Sequence, residues 1–414
     1  MILQKDKAVL RRLALRQMEL HNAPKNQTLI KEWYRHNAFQ KGKPLVRIDS
    51  ETFADEIVQP MLQCESEQGR DIEYSFYRTF MNFDLFEDDT PVPSFFPVHF
   101  DTWIHFFGFD TTGEKQTDSI ASVHKKQITD LEQQAESLEE TVMGFARDRA
   151  LGLYDITQEI FGDILPSKLG IEVPRVVPTR EIVYLMGLEK MLYNLMDYPD
   201  QMHSVMERIT QGYYNYFEML STENLIFPTD GFELVRQGSL AFNRELPGID
   251  TMVKRPLVSQ DIWGYIDSQE SVSISPQMYG EFVFPYYERL AKLFAYLSYG
   301  CCEPVHTIWE KYLSRLDNLR KVSISPWCDE EYMGERLRGK KIMYHRKPPA
   351  TLLGLGNSLD EEEICKSIQK TVKAAQGCQL EITQRDVYSV NGSSERVKNY
   401  IKLIKEQIEL FYDM

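Results

Sequence analysis

From residue 294 to its end the chain repeats one pattern four times: a short apolar run, a polar turn, then a stretch with helical spacing. "FAYLSYG" (294–300) precedes a helix from about His306 to Leu316, and "KVSISP" (321–326) precedes one from about Asp329 to Leu337. "KIMYHRKP" (341–348) precedes a helix from about Asp360 to Gln376, and "CQLEITQ" (378–384) precedes the last, from about Ser394. Apolar runs bounded by turn residues read as strands. Consecutive strand–helix units require parallel strands joined by helical crossovers. For 414 residues this leaves an eight-fold β/α barrel or an open doubly wound sheet. No phosphate-binding glycine turn follows any of the strands, which favours the barrel. The expected class is therefore α/β, a (β/α)8 TIM-type barrel over residues 43–414, with a helical extension over residues 1–42.

Elsewhere the reading is coarser. Residues 4–22 have amphipathic helical spacing, a second helix starts with Asn26 or Thr28 near its cap, and "KPLVRID" (43–49) reads as the first strand. The aromatic and proline-rich stretch 88–110 is too irregular for a helix and reads as a strand or lid bearing His99, Asp101, Trp103 and His105. Residues 127–162 fit one long helix or two, and 181–220 are helical with a break at Pro199. Ser275 and Pro276 supply the cap and first position of a further helix.

Charge excludes whole classes of partner. With 47 basic and 62 acidic residues the net charge is −15, which opposes binding to nucleic acid or an anionic membrane. No apolar run approaches the roughly 18 residues of a membrane span, and residues 1–21 lack the apolar core of a signal peptide. The six cysteines have no framework spacing. They read as reduced thiols, so a cytoplasmic location is expected.

The ends of the four strands carry the chemistry. Cys301, Cys302, Glu303 and His306 follow the first; Trp327, Cys328 and Asp329 the second; His345, Arg346 and Lys347 the third; Gln384, Arg385 and Asp386 the fourth, with Glu381 inside it. In a β/α barrel the active site lies at this end. Side chains alternate along a strand, so at most one of the two adjacent cysteines faces the mouth. Cys302 is the candidate, with a buried wall thiol as its bland alternative. Glu303 has three readings: metal ligand, acceptor of a substrate hydrogen bond, or helix cap. His306 and Cys328 are candidate further ligands, so that Cys302 with His306 and Cys328 could hold zinc. Glu303, Glu381 and Asp386 are the candidate catalytic carboxylates. Trp103, Phe232, Trp263, Gln269, Arg346 and Tyr388 are candidate pocket residues. The basic set Arg236, Arg244, Arg346, Lys347 and Arg385 could instead bind the carboxylates of a polycarboxylate.

The stretch "DIWGYIDSQESVSISPQMYGEFVFPYYERL" resembles the uroporphyrinogen decarboxylase superfamily, carried by Asp267, Gln269, Ser275, Pro276, Tyr279, Phe282, Pro285 and Tyr286. "YGCCEP" falls where the corrinoid-dependent methyltransferases of that superfamily place a zinc-binding H-x-C motif. "KPPA" (347–350), the closing segment from "GCQLEITQ", "IFGDILP" and "GLEKMLYNLMDYPDQMHSVMERIT" extend the likeness over most of residues 150–410. The N-terminal part resembles the branch found in anaerobic bacteria. The resemblance implies the eight-stranded barrel and methyl transfer between a small methylated compound, or a thiol, and a corrinoid protein, with zinc as cofactor. It admits a homodimer. Decarboxylases of the superfamily carry an R-Q-A-G-R-like stretch, absent here, which disfavours porphyrinogen decarboxylation. The chain also lacks H-x-C, and Tyr388 in "RDVYSV" stands where relatives carry a histidine, which moves a third ligand to Glu303, His306 or Cys328. Decarboxylation of a polycarboxylate and non-catalytic ligand binding are the alternatives.

Overall fold

The computed structural model describes residues 2–111, 114–115, 122–123 and 125–412. Its strands are β1 (Leu45–Ile48), β2 (Phe96–His99), β3 (Asp101–His105), β4 (Glu114–Lys115), β5 (Ser122–Val123), β6 (Val142–Ala146), β7 (Ser167–Gly170), β8 (Arg175–Val176), β9 (Trp263–Ile266), β10 (Tyr296–Tyr299), β11 (Leu319–Ile324), β12 (Met343–Arg346) and β13 (Gln379–Gln384). Seven of them form one sheet in the order β1-β13-β12-β11-β10-β9-β8, and every neighbouring pair in it is parallel. β2 and β7 make a separate parallel pair, β3 and β6 an antiparallel one, and β4 and β5 another. The chain is thus α/β with a parallel sheet; among the described residues the hydrogen-bonded ladder has β1 and β8 at its edges and does not itself show the eight-fold closure expected. At its β1 edge, side chains replace a neighbouring strand. The Val46 and Ile48 N–H groups donate to the carboxylates of Asp89 and Asp88, each at 2.8 Å, and Asp89 N–H donates to Val46 O at 2.8 Å. An edge satisfied in this way offers no free row of donors to another chain.

The four strand–helix units lie close to their expected places. β10, β12 and β13 fall within their apolar runs, β11 starts at Leu319, before the run at 321–326, and helices span Glu330–Leu337, Glu361–Ala374 and Ser394–Phe411. Each of these three starts at a capping side chain: Asp329, Asp360 and Ser393 accept from the N–H three residues on, which satisfies one orphan donor of the first turn. The stretch 306–316 differs. It contains two 3-10 turns, Val305–Thr307 and Leu313–Arg315, in place of one helix. Val305, Trp309 and Leu313 keep the four-residue spacing of a helix and are all fully buried, so burial rather than regular backbone is what the pattern encoded.

Residues 127–162 also depart from a helix. β6 interrupts them to pair with β3, leaving short turns at 131–137 and a helix at Asp148–Phe161. The second N-terminal helix begins at Pro24, not at Asn26 or Thr28. Asn26 is buried and hydrogen-bonds His21 O and both the N–H and C=O of Val92. The helical tract 178–222 breaks at Gly187 as well as before Pro199. The helix capped by Ser275 covers Pro276–Phe282, and a second follows at Phe284–Ala291. The two N-terminal helices join the core, through Leu10, Ala14, Leu29 and Trp33. Among the described residues no helix is long and apolar enough to cross a membrane.

Alternation along the strands gives the sheet two unlike faces. Leu380 and Ile382 of β13 and Tyr344 of β12 face the helices, whereas Arg47, Lys321, His345, Glu381 and Thr383 form a buried polar layer on the other face.

Candidate functional site

Where β10 ends, Gly300 adopts φ +98°, and a Cβ there would lie 3.1 Å from that of Ser323. The left-handed turn lets the next three residues fold back over the carboxyl end of the sheet. They are pinned from both sides. The buried Glu303 carboxylate accepts the N–H of Ser268, after β9, at 2.9 Å and that of Cys301 at 2.8 Å. Ser323 Oγ of β11 donates to Cys301 O at 2.8 Å. Burial, then the negative field of Asp267, pushes the Glu303 carboxyl up to about 8, the two N–H donors offsetting part of this. Glu303 therefore acts as the clamp of the cysteine loop.

Cys301 is buried and Cys302 half-buried, their sulfurs 3.7 Å apart. The hydrogen bond from the Cys301 thiol holds the Cys302 thiol below its ordinary value; burial and Asp386 oppose it, and Lys347 and Arg385 assist. The Cys301 thiol is pushed up, by that same hydrogen bond and by burial. The sequence allowed one mouth-facing cysteine; the pair instead divides into a donor and a candidate thiolate.

Two cations complete the cluster. Lys347, directly after β12, is buried and donates to Gln237 Oε1 at 2.8 Å. Burial and then Arg385 push its ammonium down to about 8. Arg385, after β13, donates to the same Gln237 oxygen, and its guanidinium reaches Cys301 Sγ at 3.9 Å. It pairs with Asp386 at 3.1 Å and with Asp49, after β1, at 3.7 Å. Asp267, after β9, is fully buried; its Oδ2 lies 3.3 Å from Arg175 and its Oδ1 has no hydrogen-bond partner. Thiol, ammonium, guanidinium and carboxylates thus converge at the carboxyl ends of β1, β9, β10, β12 and β13.

Gln237 is supplied by a tight turn, Leu234 to Leu240, whose ends pair as an isolated bridge. Arg236, Gln237 and Gly238 at its tip have φ of +57°, +52° and +81°. Two non-glycine residues in this region hold strain. The turn packs tightly, for a Cβ on Gly238 would meet Thr383 Cγ2 at 2.3 Å. Beside it lies a cavity of about 410 Å3 whose walls include Arg47, Asp49, His99, Phe232 and Arg236.

The remaining sequence candidates lie elsewhere. His306 Nδ1 accepts the Asp329 N–H at 3.2 Å, and Cys328 is buried with its sulfur on Glu303 O at 3.7 Å. Burial pushes the Cys328 thiol up. Cys302, His306 and Cys328 therefore do not form a ligand set: among the described residues no group of three or more His, Cys, Asp or Glu side chains is placed to hold a metal ion. The donors placed there do not fit zinc. Glu381 lies within the polar layer, 3.1 Å from Lys321, rather than at the mouth. Arg346 is the last residue of β12 and points to the helices, bonding Glu330 at 3.0 Å and Ser325 O at 2.7 Å. Trp263 begins β9, so it sits at the opposite end of the sheet, its Nε1 donating to Ala241 O at 3.1 Å. Trp103 is on the β3–β6 hairpin, lining a separate pocket. Gln269 follows β9 and donates to Glu270 at 3.3 Å. Tyr388 is 59% exposed. Asp49, Arg175 and Gln237 were missed as site residues. Asp49 had a usable signal, a carboxylate directly after a strand, whereas Gln237 lies in a loop with no periodicity.

An α/β chain with its polar cluster at the carboxyl ends of parallel strands is what the geometry defines. No family model matches this chain, and no curated protein matches it in sequence. Among solved structures it is similar to a methyltransferase from Methanosarcina mazei, at 12% identity and a TM-score of 0.49, over 93% of this chain and 99% of that one.

Proposed function

We propose that the chain is a methyltransferase-like enzyme that acts on a small anionic compound at the cysteine loop. One observation carries this reading: a thiol held below its ordinary value shares the carboxyl end of the sheet with Lys347 and Arg385, which meet on Gln237. A thiolate is the nucleophilic form of cysteine, and two converging cations suit an anionic group on its partner. In this reading Lys347 and Arg385 orient the anion, Cys302 faces the methyl group, and Asp386 fixes the Arg385 guanidinium. Glu303 positions the loop. The superfamily resemblance adds a corrinoid carried by a partner protein, which would supply the methyl acceptor. It also implies a closed eight-stranded barrel, in which the separate β2–β7 pair would complete the ladder between its β1 and β8 edges.

The test has two parts. Alkylation of Cys302 by iodoacetate is expected to outpace that by iodoacetamide, relative to free cysteine, by about tenfold, and Lys347→Met should remove the preference. With reduced cobalamin as acceptor and a panel of methylated thiols and amines bearing carboxylates or sulfonates, methylated cobalamin should form in wild type and not in Cys302→Ser. Equal turnover in that variant, or none with any donor, overturns the reading.

Decarboxylation of a polycarboxylate has an observation of its own, because Arg47, Arg78, Lys168 and Arg236 line the neighbouring cavity, although Asp49, Glu51, Glu172 and Glu233 line it too and Glu233 and Glu172 pair with Lys168 and Arg236. Carbon dioxide released from a porphyrinogen without added metal would favour it.

A further inference from the structure

A second cavity, of about 300 Å3, opens at the opposite end of the sheet. Its floor is the amino-terminal ends of the strands: Trp263, Tyr296 and Met343 are the first residues of β9, β10 and β12, and Arg320 is the second of β11. One wall is the end of the helix Pro24–Asn37 with the residues that follow it, and the other is 243–245. None of the thiols and none of the histidines lines it, so it has the means to bind but not the nucleophile to react.

Its composition is unlike the chain as a whole. Lys31, Arg35, Arg244 and Arg320 face one acid, Glu245, in a protein of net charge −15. Glu245 pairs with Arg320 at 3.2 Å, and Arg35 with Glu32, outside the cavity lining, at 2.6 Å. Among the described residues no acidic group forms an ion pair with Lys31 or Arg244, and two positive charges are left over. The guanidinia lie on aromatic faces: Arg320 is 4.3 Å from the Tyr296 centroid and 5.7 Å from that of Phe39, and Arg244 is 4.8 Å from that of Tyr34.

Phe39 supplies a second, independent observation. The helix ends in a Schellman turn: Phe39 N–H donates to His36 O at 3.0 Å and Gln40 N–H to Arg35 O at 3.1 Å. That turn places Phe39 at φ +56°, a position that glycine normally fills. A bulky side chain in this conformation is strained. The ring does not recover the strain in the core, for it belongs to neither core cluster. It faces the cavity instead.

We propose that this cavity is a ligand site for a planar aromatic anion, its ring against Phe39, Tyr34 and Tyr296 and its charge toward Lys31 and Arg244. The volume matches the smaller end of small-molecule sites, enough for a fused bicyclic ring with one acidic group. The site is separate from the cysteine loop, and the proposal does not depend on methyl transfer.

Isothermal titration of the full chain with naphthalene-2-carboxylate tests it. One site per chain is expected, and 2-naphthol and cyclohexanecarboxylate should each bind at least about tenfold more weakly, because each lacks one of the two interactions. Arg244→Gln should weaken binding by a similar factor. Phe39→Gly should also weaken it while raising the thermal midpoint, since glycine relieves the turn; this separates loss of a ligand contact from loss of the fold. Arg236→Gln, which alters the other cavity, should leave the affinity within about twofold. No heat at millimolar ligand, affinity unchanged by both Arg244→Gln and Phe39→Gly, or affinity lost in Arg236→Gln overturns the proposal.

Discussion

Cys301 and Cys302 have the same side chain and opposite acidities because one donates to the other. Their surroundings differ too: Cys301 is buried, its N–H held by Glu303 and its C=O by Ser323, whereas Cys302 is half-buried, with Lys347 and Arg385 favouring its thiolate. Replacing the donor should show this. In Cys301→Ala the midpoint of the pH profile for iodoacetamide alkylation of Cys302 is expected to move up toward that of a free thiol, and an unmoved midpoint would assign the lowered value to Lys347 and Arg385 alone. Glu303 makes a separate prediction. Its carboxyl titrates near 4.5 when solvated and is pushed up to about 8 in the fold. Between those values the native chain keeps a proton that the unfolded chain has released, so this group's contribution is full below pH 4.5 and is lost as the pH rises through about 8. Urea midpoints of Glu303→Gln should therefore fall less than those of wild type from pH 5 to 8. A parallel decline in both would place the ionisation elsewhere. Lys347 acts above that window with the opposite sign: its lowered value lets stability rise with pH from about 8 toward 10.5.

At the scale of elements, the turn Leu234–Leu240 joins the mouth to the polar layer. Gln237 bonds Lys347 and Arg385 above, Ser239 Oγ donates to Glu381 at 3.0 Å below, and Gly238 O accepts from Arg47. Gly238→Ala would add a Cβ 2.3 Å from Thr383 to a backbone at φ +81°. Its cost should be at least about 2 kcal/mol in unfolding free energy, read from urea titration, and a smaller loss would mean that the turn moves freely. Such an element was not legible in the sequence. Nothing periodic marks residues 234–240, and their conformation is imposed by the groups above and below them. β10 to β13 were legible because each is a compact apolar run followed by a capping Asp or Ser or by a tight turn. β6 was not, since residues 142–146 are only partly buried or exposed and become a strand by pairing with β3. The same division holds within the site. The pattern places Cys302, Lys347 and Arg385 at strand ends, whereas one-residue alternation sends Arg346 to the helix face, and Glu381 sits on the inner face but deeper in its strand, against Lys321.

For the whole molecule, the polar layer is the unusual choice, because it places a full ion pair inside the sheet. Lys321 and Glu381 are both 0% exposed and 3.1 Å apart. Burial pushes His36 and His345 well below the ordinary histidine value, so both are neutral beside the pair, and the cations that face Glu381 are Lys321, in direct contact, and the buried Arg47. Lys321 also bonds Asn37 Oδ1 at 3.0 Å and Leu240 O at 3.2 Å, so one ammonium ties the N-terminal helix and the turn to the strands. Removing one partner strands a buried charge, whereas removing both leaves an apolar gap that neighbours can fill. Glu381→Gln and Lys321→Met should each lower the unfolding free energy by about 3–5 kcal/mol, and Lys321→Met with Glu381→Leu by much less than their sum. Denaturant titration of the four proteins measures the coupling. Strict additivity would show that the charges are compensated separately. If Glu381→Gln abolished the proposed methyl transfer in protein that remained fully folded, the carboxylate would belong to the chemistry instead of to the architecture. The geometry expects the reverse, with activity per folded molecule retained, because Glu381 faces Lys321 and Ser239 rather than the cysteine loop.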